Sequence, residues 1–275
     1  MPMPLIHVER VGPAPFIALN VGGTGDLVVL LHGIGGNRRN WRDNIGPLAQ
    51  HFQVAAWDAR GWGDSDDYDG PLTFEEMSQD LLRVLDHLGH RRAHLVGLSM
   101  GGRIAMHFAV RHPDRVQSLV LCDTTQGPKD WPLERRNAFI QSRQAPLLSG
   151  KTPADIAEQV AASLVSPHAS VEAVAQLVES LAMLHKDSYL KAIEANVADV
   201  TLADLSLITA PTLVMVGEDD HLTPPAEAAE IARLIAGAQL HVVERAGHLI
   251  NIEAPAAFNE RVLAFLLAQS EPVRS

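Results

Sequence analysis

Apolar side chains run almost unbroken through Leu27–Leu31, Val54–Trp57, Ala93–Val96, Val116–Cys122 and the stretch from Pro211 to Gly217. Runs this short that are apolar on both faces are strands of a parallel sheet covered by helices on either side. The segments between them carry the helical period. From Leu72 to His87 the apolar positions Met77, Leu81, Leu82 and Leu85 fall three and four residues apart, with Thr73 as N-cap and Glu76 three residues on. Further helices are predicted over Gly101–His112, stopped before Pro113, over Pro225–Ile235 and over Pro255–Leu267, with a strand at Gln239–Val243. Near the start, Leu5–Val11 and Phe16–Val21 read as two short strands joined by a Gly12-Pro13 turn, expected as the antiparallel edge of the sheet. Strand and helix thus alternate as in doubly wound α/β proteins.

The alternation stops at Gln126. From there to about Val200 only helical patterns occur, over Pro132–Leu148, Pro153–Leu164, Ser170–Leu184 and Asp187–Asn196. The expected organisation is a core in two parts, 1–125 and 201–275, with a helical cap, 126–200, over the carboxyl edge of the sheet, where open α/β sheets bind ligands. Residues 269–275 read as a frayed tail.

Composition narrows the function. The chain has 275 residues, 22 basic and 33 acidic side chains and a net charge of -11, a balance that argues against a phosphate-binding surface. Cys122 is the only cysteine and lies in an apolar strand, so a reduced, buried thiol is expected. The first residues lack the apolar core of a signal peptide, and no stretch is long enough to span a bilayer, so a cytoplasmic protein without nucleic-acid or membrane partners is expected, as monomer or homodimer.

The chemistry lies at strand ends. Gly97-Leu98-Ser99-Met100-Gly101 follows a strand and opens a helix, the context of a nucleophile elbow. A serine hydroxyl needs a general base, and His248, on the loop after Gln239–Val243, is the candidate, most other histidines falling in or beside strands and helices. Asp220, after the strand from Pro211, would orient the imidazole, with Asp123 as its rival at the end of Val116–Cys122. The oxyanion would be held by the Met100 amide and by the Ile34 amide of the loop His32-Gly33-Ile34-Gly35-Gly36. That loop lacks the Lys-Ser/Thr of a P-loop, and neither a metal nor an organic cofactor is implied.

With these residues in view the chain resembles the α/β-hydrolase superfamily over nearly its full length. The matching segments are HGIGG (32–36), DARGWGDSD (58–66), GLSMGG (97–102), RHPDRVQSLVLCD (111–123), PTLVMVGEDDHLTP (211–224) and AGHLINIEAP (246–255). The resemblance implies a mostly parallel eight-stranded sheet with a helical cap after strand 6, a Ser99–Asp220–His248 triad, and a buttressing turn at Asp58, Arg60, Gly61, Gly63 and Ser65. GLSMGG with GHLINIEAP looks like the branch of small carboxylesterases and 3-oxoadipate enol-lactonases. The carbon–carbon bond hydrolases of aromatic catabolism usually carry Asn and Trp where this chain has Leu98 and Leu249. Ser99 also sets it apart from the Asp-nucleophile dehalogenases and epoxide hydrolases.

The expected activity is hydrolysis of small to medium, mostly apolar esters through an acyl-enzyme. Enol-lactone hydrolysis, carbon–carbon hydrolysis and a small-ligand receptor are the alternatives. Trp41, Trp131, Phe139 and Leu249 are candidate pocket residues. A dicarboxylate lactone would need an inward cation, drawn from Arg38, Arg39, Arg135, Arg136 and Arg143.

Overall fold

The computed structural model describes residues 4–128, 131–198 and 204–270; the expected end of the cap at 200 and the tail residues 271–275 lie outside these. The apolar runs pair with one another as their two-sided pattern requires. Strands β1 (Ile6–Val11), β2 (Ile17–Gly22), β3 (Leu27–Leu31), β4 (Gln53–Trp57), β5 (Ala93–Leu98), β6 (Val116–Cys122), β7 (Thr212–Gly217) and β8 (Gln239–Val243) form one sheet in the order β1-β2-β4-β3-β5-β6-β7-β8. β2 is antiparallel to both β1 and β4, and every other pairing is parallel. All residues of β3 and β5 are buried, so both sheet faces are covered at the centre. Each fully buried leucine there contributes roughly 2 kcal/mol of transfer free energy.

The covering helices are α1 (Arg42–Ala49), α2 (Phe74–His87), α3 (Met100–Arg111), α8 (Pro225–Leu234) and α10 (Pro255–Gln269), with the short α9 (Ile250–Glu253) leading into α10. Thr73 caps α2 as its sequence predicts, accepting the Glu76 amide. α1 has no counterpart in the sequence reading, because Gly46 and Pro47 interrupt its pattern. Its place comes from packing on α10 and α9, with Asn44 Nδ2 donating to Asn259 Oδ1 at 2.9 Å and to the Asn251 backbone carbonyl at 3.2 Å.

Between β6 and β7, among the described residues, no strand occurs: the elements are α4 (Leu133–Leu148), α5 (Pro153–Ala162), α6 (Val171–Ala182), α7 (Lys186–Ala198) and a single 3-10 turn, Leu205–Leu207. α4 packs on α7 and α5 on α6. α6 also meets the single turn Arg38–Trp41 and α9, which follow β3 and β8, so the insertion sits over the carboxyl edge of the sheet. No helix among the described residues is long and apolar enough to cross a membrane.

Candidate active site

The elbow is built by backbones that touch. A Cβ on Gly101 would lie 2.1 Å from the Leu31 carbonyl oxygen, and one on Gly97 would lie 2.4 Å from the Gly101 carbonyl oxygen. The crowding forces Ser99 to φ 52°, ψ -114°, a conformation rare outside glycine, and its amide donates to the Cys122 carbonyl at 2.8 Å. Thr124 Oγ1 donates to the Ser99 carbonyl at 2.7 Å. The Ser99 side chain is thereby held above the sheet at the first turn of α3.

Ser99 Oγ lies 3.0 Å from His248 Nε2, and His248 Nδ1 lies 2.8 Å from Asp220 Oδ2. Asp220 is fixed on its other side: Oδ1 accepts the Leu222 and Thr223 amides at 2.8 and 2.9 Å, and Oδ2 accepts the Thr223 hydroxyl at 2.7 Å. Burial alone would raise this carboxyl's pKa, but the hydrogen bonds and charge of His248 and the bonds from Thr223 outweigh it and hold it below the ordinary carboxylate range. An ionised, oriented carboxylate results.

Asp123, the rival acid, is fully buried but turned elsewhere. Its carboxyl oxygens accept the Gly217 amide at 2.9 Å and the Ile250 amide at 3.2 Å. Burial and the nearby Asp220 charge push its pKa well above the ordinary value. The neighbouring Cys122 thiol is buried, as expected, and raised likewise by burial.

The loop after β3 approaches Ser99 closely, since a Cβ on Gly33 would sit 3.2 Å from Ser99 Cβ. The Met100 amide is the first of α3, so no helical carbonyl faces it. Ile34 is fixed through its carbonyl, which accepts Trp62 Nε1 at 3.0 Å. Below this loop Asp58 receives the Arg38 amide at 2.7 Å and the Asp64 amide at 2.8 Å, and pairs with the Arg38 guanidinium. The Ser65 hydroxyl donates to the Asp58 carbonyl at 2.6 Å, while Arg60 forms two bonds to Asp80 at 2.6 and 2.8 Å. The Asp58–Ser65 turn therefore ties β4 to the loop after β3.

Residues 26–255 match the family described as alpha/beta hydrolase fold. The chain belongs to that family. Among its relatives, a 2-hydroxy-6-oxononadienedioate/2-hydroxy-6-oxononatrienedioate hydrolase of Cupriavidus pinatubonensis is 33% identical, covering 90% of this chain and 89% of the relative. The 3-oxoadipate enol-lactonase 2 of Acinetobacter baylyi is 28% identical over 96% of this chain and 98% of its own. The structure is also similar to a malate-bound thermophilic esterase from Thermogutta terrifontis, with TM-score 0.86 and 29% identity over 96% of this chain and all of the other.

In this α/β-hydrolase, two chambers meet at Ser99. The smaller is walled by Leu98, Leu164, Leu177, Leu181 and Leu249. The larger includes Trp131, Phe139, Arg103, Asn196 and Glu227. Ile34, Ser99, Arg143, Tyr189 and Leu222 line both. Trp131 and Phe139 line the larger chamber, their rings edge to face at 5.7 Å, and Leu249 lines the smaller. Trp41 does not. It is fully buried against Phe258, with ring centroids 6.0 Å apart, because the turn before α1 aims it into the layer shared with α10.

The five candidate arginines separate in the same way. Arg38 is buried and bound by Asp58, Asp64 and Asn20. Arg39 reaches Met183, and Arg135 lies over the Trp131 ring. Arg136 donates to the Trp131 carbonyl at 2.9 Å. Arg143 alone of the five lines the chambers. Its partners are the Tyr189 phenol and the Phe139 ring, 5.0 Å away, and no described carboxylate pairs with it. Arg103 also lines the larger chamber, where its guanidinium donates to the Asn196 carbonyl at 2.7 Å. Sequence reading passed over it, although its place one helical turn after Ser99 is a usable signal.

Proposed function

We propose that this chain is a serine hydrolase that cleaves small carboxylic esters through an acyl-enzyme, with Ser99 as nucleophile, His248 as base and Asp220 as the acid that orients it. The observation that carries the reading is the continuous relay of 3.0 and 2.8 Å from Ser99 to Asp220, opening onto a mostly apolar chamber. His248 Nε2 takes the Ser99 proton as the oxygen attacks the acyl carbon. The Ile34 and Met100 amides hold the oxyanion, each such donor lowering the barrier by about 3 kcal/mol. The imidazolium then protonates the departing alkoxide. A water molecule deprotonated by the same nitrogen attacks the acyl-enzyme and frees the acid. The leucine walls exclude bulk water and favour an apolar acyl or alcohol part.

Arg143 favours a second reading for the same machinery. A guanidinium lining the same chambers as the nucleophile, with no carboxylate partner among the described residues, suits an ester or enol-lactone that carries a carboxylate of its own. The relatives above include both an enol-lactonase and a 2-hydroxy-6-oxononadienedioate/2-hydroxy-6-oxononatrienedioate hydrolase, so the substrate panel should contain simple esters, enol-lactones and dienoate ketones. The test is turnover of p-nitrophenyl acetate and butyrate by wild type and Ser99→Ala. Loss of turnover in the variant is expected, and equal rates would overturn the assignment.

A further inference from the structure

Three consecutive backbone amides carry the His248 ring, and their bonds go to two separate parts of the chain. The Gly247 and Leu249 amides donate to Glu253 Oε1 at 3.1 and 3.3 Å. The His248 amide between them donates to the Leu164 carbonyl, 2.8 Å away, in the segment that follows α5. Glu253 Oε2 turns to that same segment and accepts the Ser166 amide at 2.8 Å. The Ser166 hydroxyl completes the seam by donating to the Arg245 carbonyl at 3.1 Å.

Glycine is required where the two backbones meet. A Cβ on Gly247 would stand 2.6 Å from the Ser166 nitrogen and 2.8 Å from the Leu164 oxygen. The Leu164 side chain, from the residue whose carbonyl holds the His248 amide, also lines the smaller chamber beside Ser99.

We propose that Glu253 is a positioning residue that joins the helical insertion to the base, so that the alignment of His248 depends on the seating of Leu164–Ser166. The inference rests on the reading of His248 as general base. A carboxylate that accepts three amides forms charge-assisted bonds, roughly twice as strong as neutral ones, and here they run to both sides of the seam. If the insertion lifts, the His248 amide and one Glu253 oxygen lose their partners together. The imidazole then lies on a loop held only from the core side. Since a misplacement of about 1 Å can cost about a hundredfold in rate, the base is competent only while the insertion is seated. An acyl group that fills the smaller chamber without displacing Leu164 leaves the seam closed.

The test separates the two oxygens of Glu253. Glu253→Gln keeps one acceptor for Gly247 and Leu249 but turns an NH2 group toward the Ser166 amide, cutting only the carboxylate's own tie to the insertion. Glu253→Ala cuts both. Turnover of p-nitrophenyl butyrate is measured per active site titrated with an organophosphonate, so that unfolded enzyme does not enter. Glu253→Gln should lower kcat at least tenfold with KM changed less than twofold, and Glu253→Ala should be no better. A Glu253→Gln enzyme within twofold of wild type in kcat overturns the inference, whatever Glu253→Ala does. A wild type that turns over no member of the substrate panel overturns the proposed function instead. Should Glu253→Gln fail to fold, or the wild type lack turnover, amide hydrogen exchange in wild type decides. Segments 164–166 and 247–249 should exchange within threefold of each other. Exchange more than tenfold faster in 164–166 overturns the coupling.

Discussion

Replacing Asp220 by Asn keeps size and shape but reverses one hydrogen bond. The Asn oxygen can still accept the Leu222 and Thr223 amides, which places its NH2 group against His248 Nδ1, now 2.8 Å from a carboxylate oxygen. Two donors cannot face each other at that distance, so the imidazole must carry its proton on Nε2, the nitrogen that should receive the Ser99 proton. The imidazolium of the transition state also loses its counter-charge. Together these should lower kcat by about 10⁴, roughly 5.5 kcal/mol of barrier. Asp123→Asn is the control, because that carboxyl binds only the Gly217 and Ile250 amides. It should keep kcat within tenfold while lowering Tm by several degrees, since one buried amide loses an acceptor at a cost of about 1–3 kcal/mol. The assay is p-nitrophenyl butyrate hydrolysis at pH 7.5, with Tm measured in the same buffer. An Asp220→Asn enzyme within tenfold of wild type, or an Asp123→Asn enzyme that loses the larger factor, would refute the assignment of the acid.

Arg143→Met should lower kcat/KM for a p-nitrophenyl hemisuccinate by about ten- to a hundredfold, the worth of one charged hydrogen bond, and change the butyrate ester less than threefold; a matched set of initial rates checks this. Gly101→Ala places a Cβ 2.1 Å from a backbone oxygen, so a Tm at least about 5 °C lower, with activity lost, is expected by calorimetry and turnover. His94 is buried, bonded to Ser118 Oγ at 2.7 Å, and its pKa is pushed down to about 4 by desolvation. Its folded pKa lies below the unfolded value of about 6.5, so its stability contribution is full above pH 6.5 and is lost as pH falls toward 4, by about 3 kcal/mol. Urea unfolding at pH 7 and pH 4.5 should show most of that loss in wild type, and His94→Leu with Ser118→Ala should lack it.

The sheet was legible because its central strands are apolar on both faces, a pattern that no surface helix shares. Ser99, Asp220 and His248 were legible as candidates because each stands where an apolar run gives way to glycine or acid. Other features depend on partners distant in the chain. α1 has an interrupted pattern and is fixed by Asn251 and Asn259, some two hundred residues away. Trp41 and Trp131 are alike in sequence as bulky apolar residues, and only packing sends the first into the core and the second to a chamber. Arg38 and Arg143 were equal candidates until Asp58, Asp64 and Asn20 claimed the first. Glu253 lies inside the matching segment AGHLINIEAP, but no role could be read for it, since its bonds to Ser166 and to the His248 loop exist only once the insertion is docked.

The position of β5 divides the labour between heritable parts. The strand that delivers Ser99 lies between β3, which is fully buried, and β6, which is buried except at Gln117, whereas Trp131, Phe139 and Arg143, which face the chambers, all belong to the segment between β6 and β7. In a library of random variants, changes along β5 and the start of α3 should mostly abolish soluble expression. Changes on the chamber side of α4 should instead leave expression intact and redistribute activity among esters. The seam at Glu253 marks where that freedom ends, because residues 164–166 serve the insertion and the base at once.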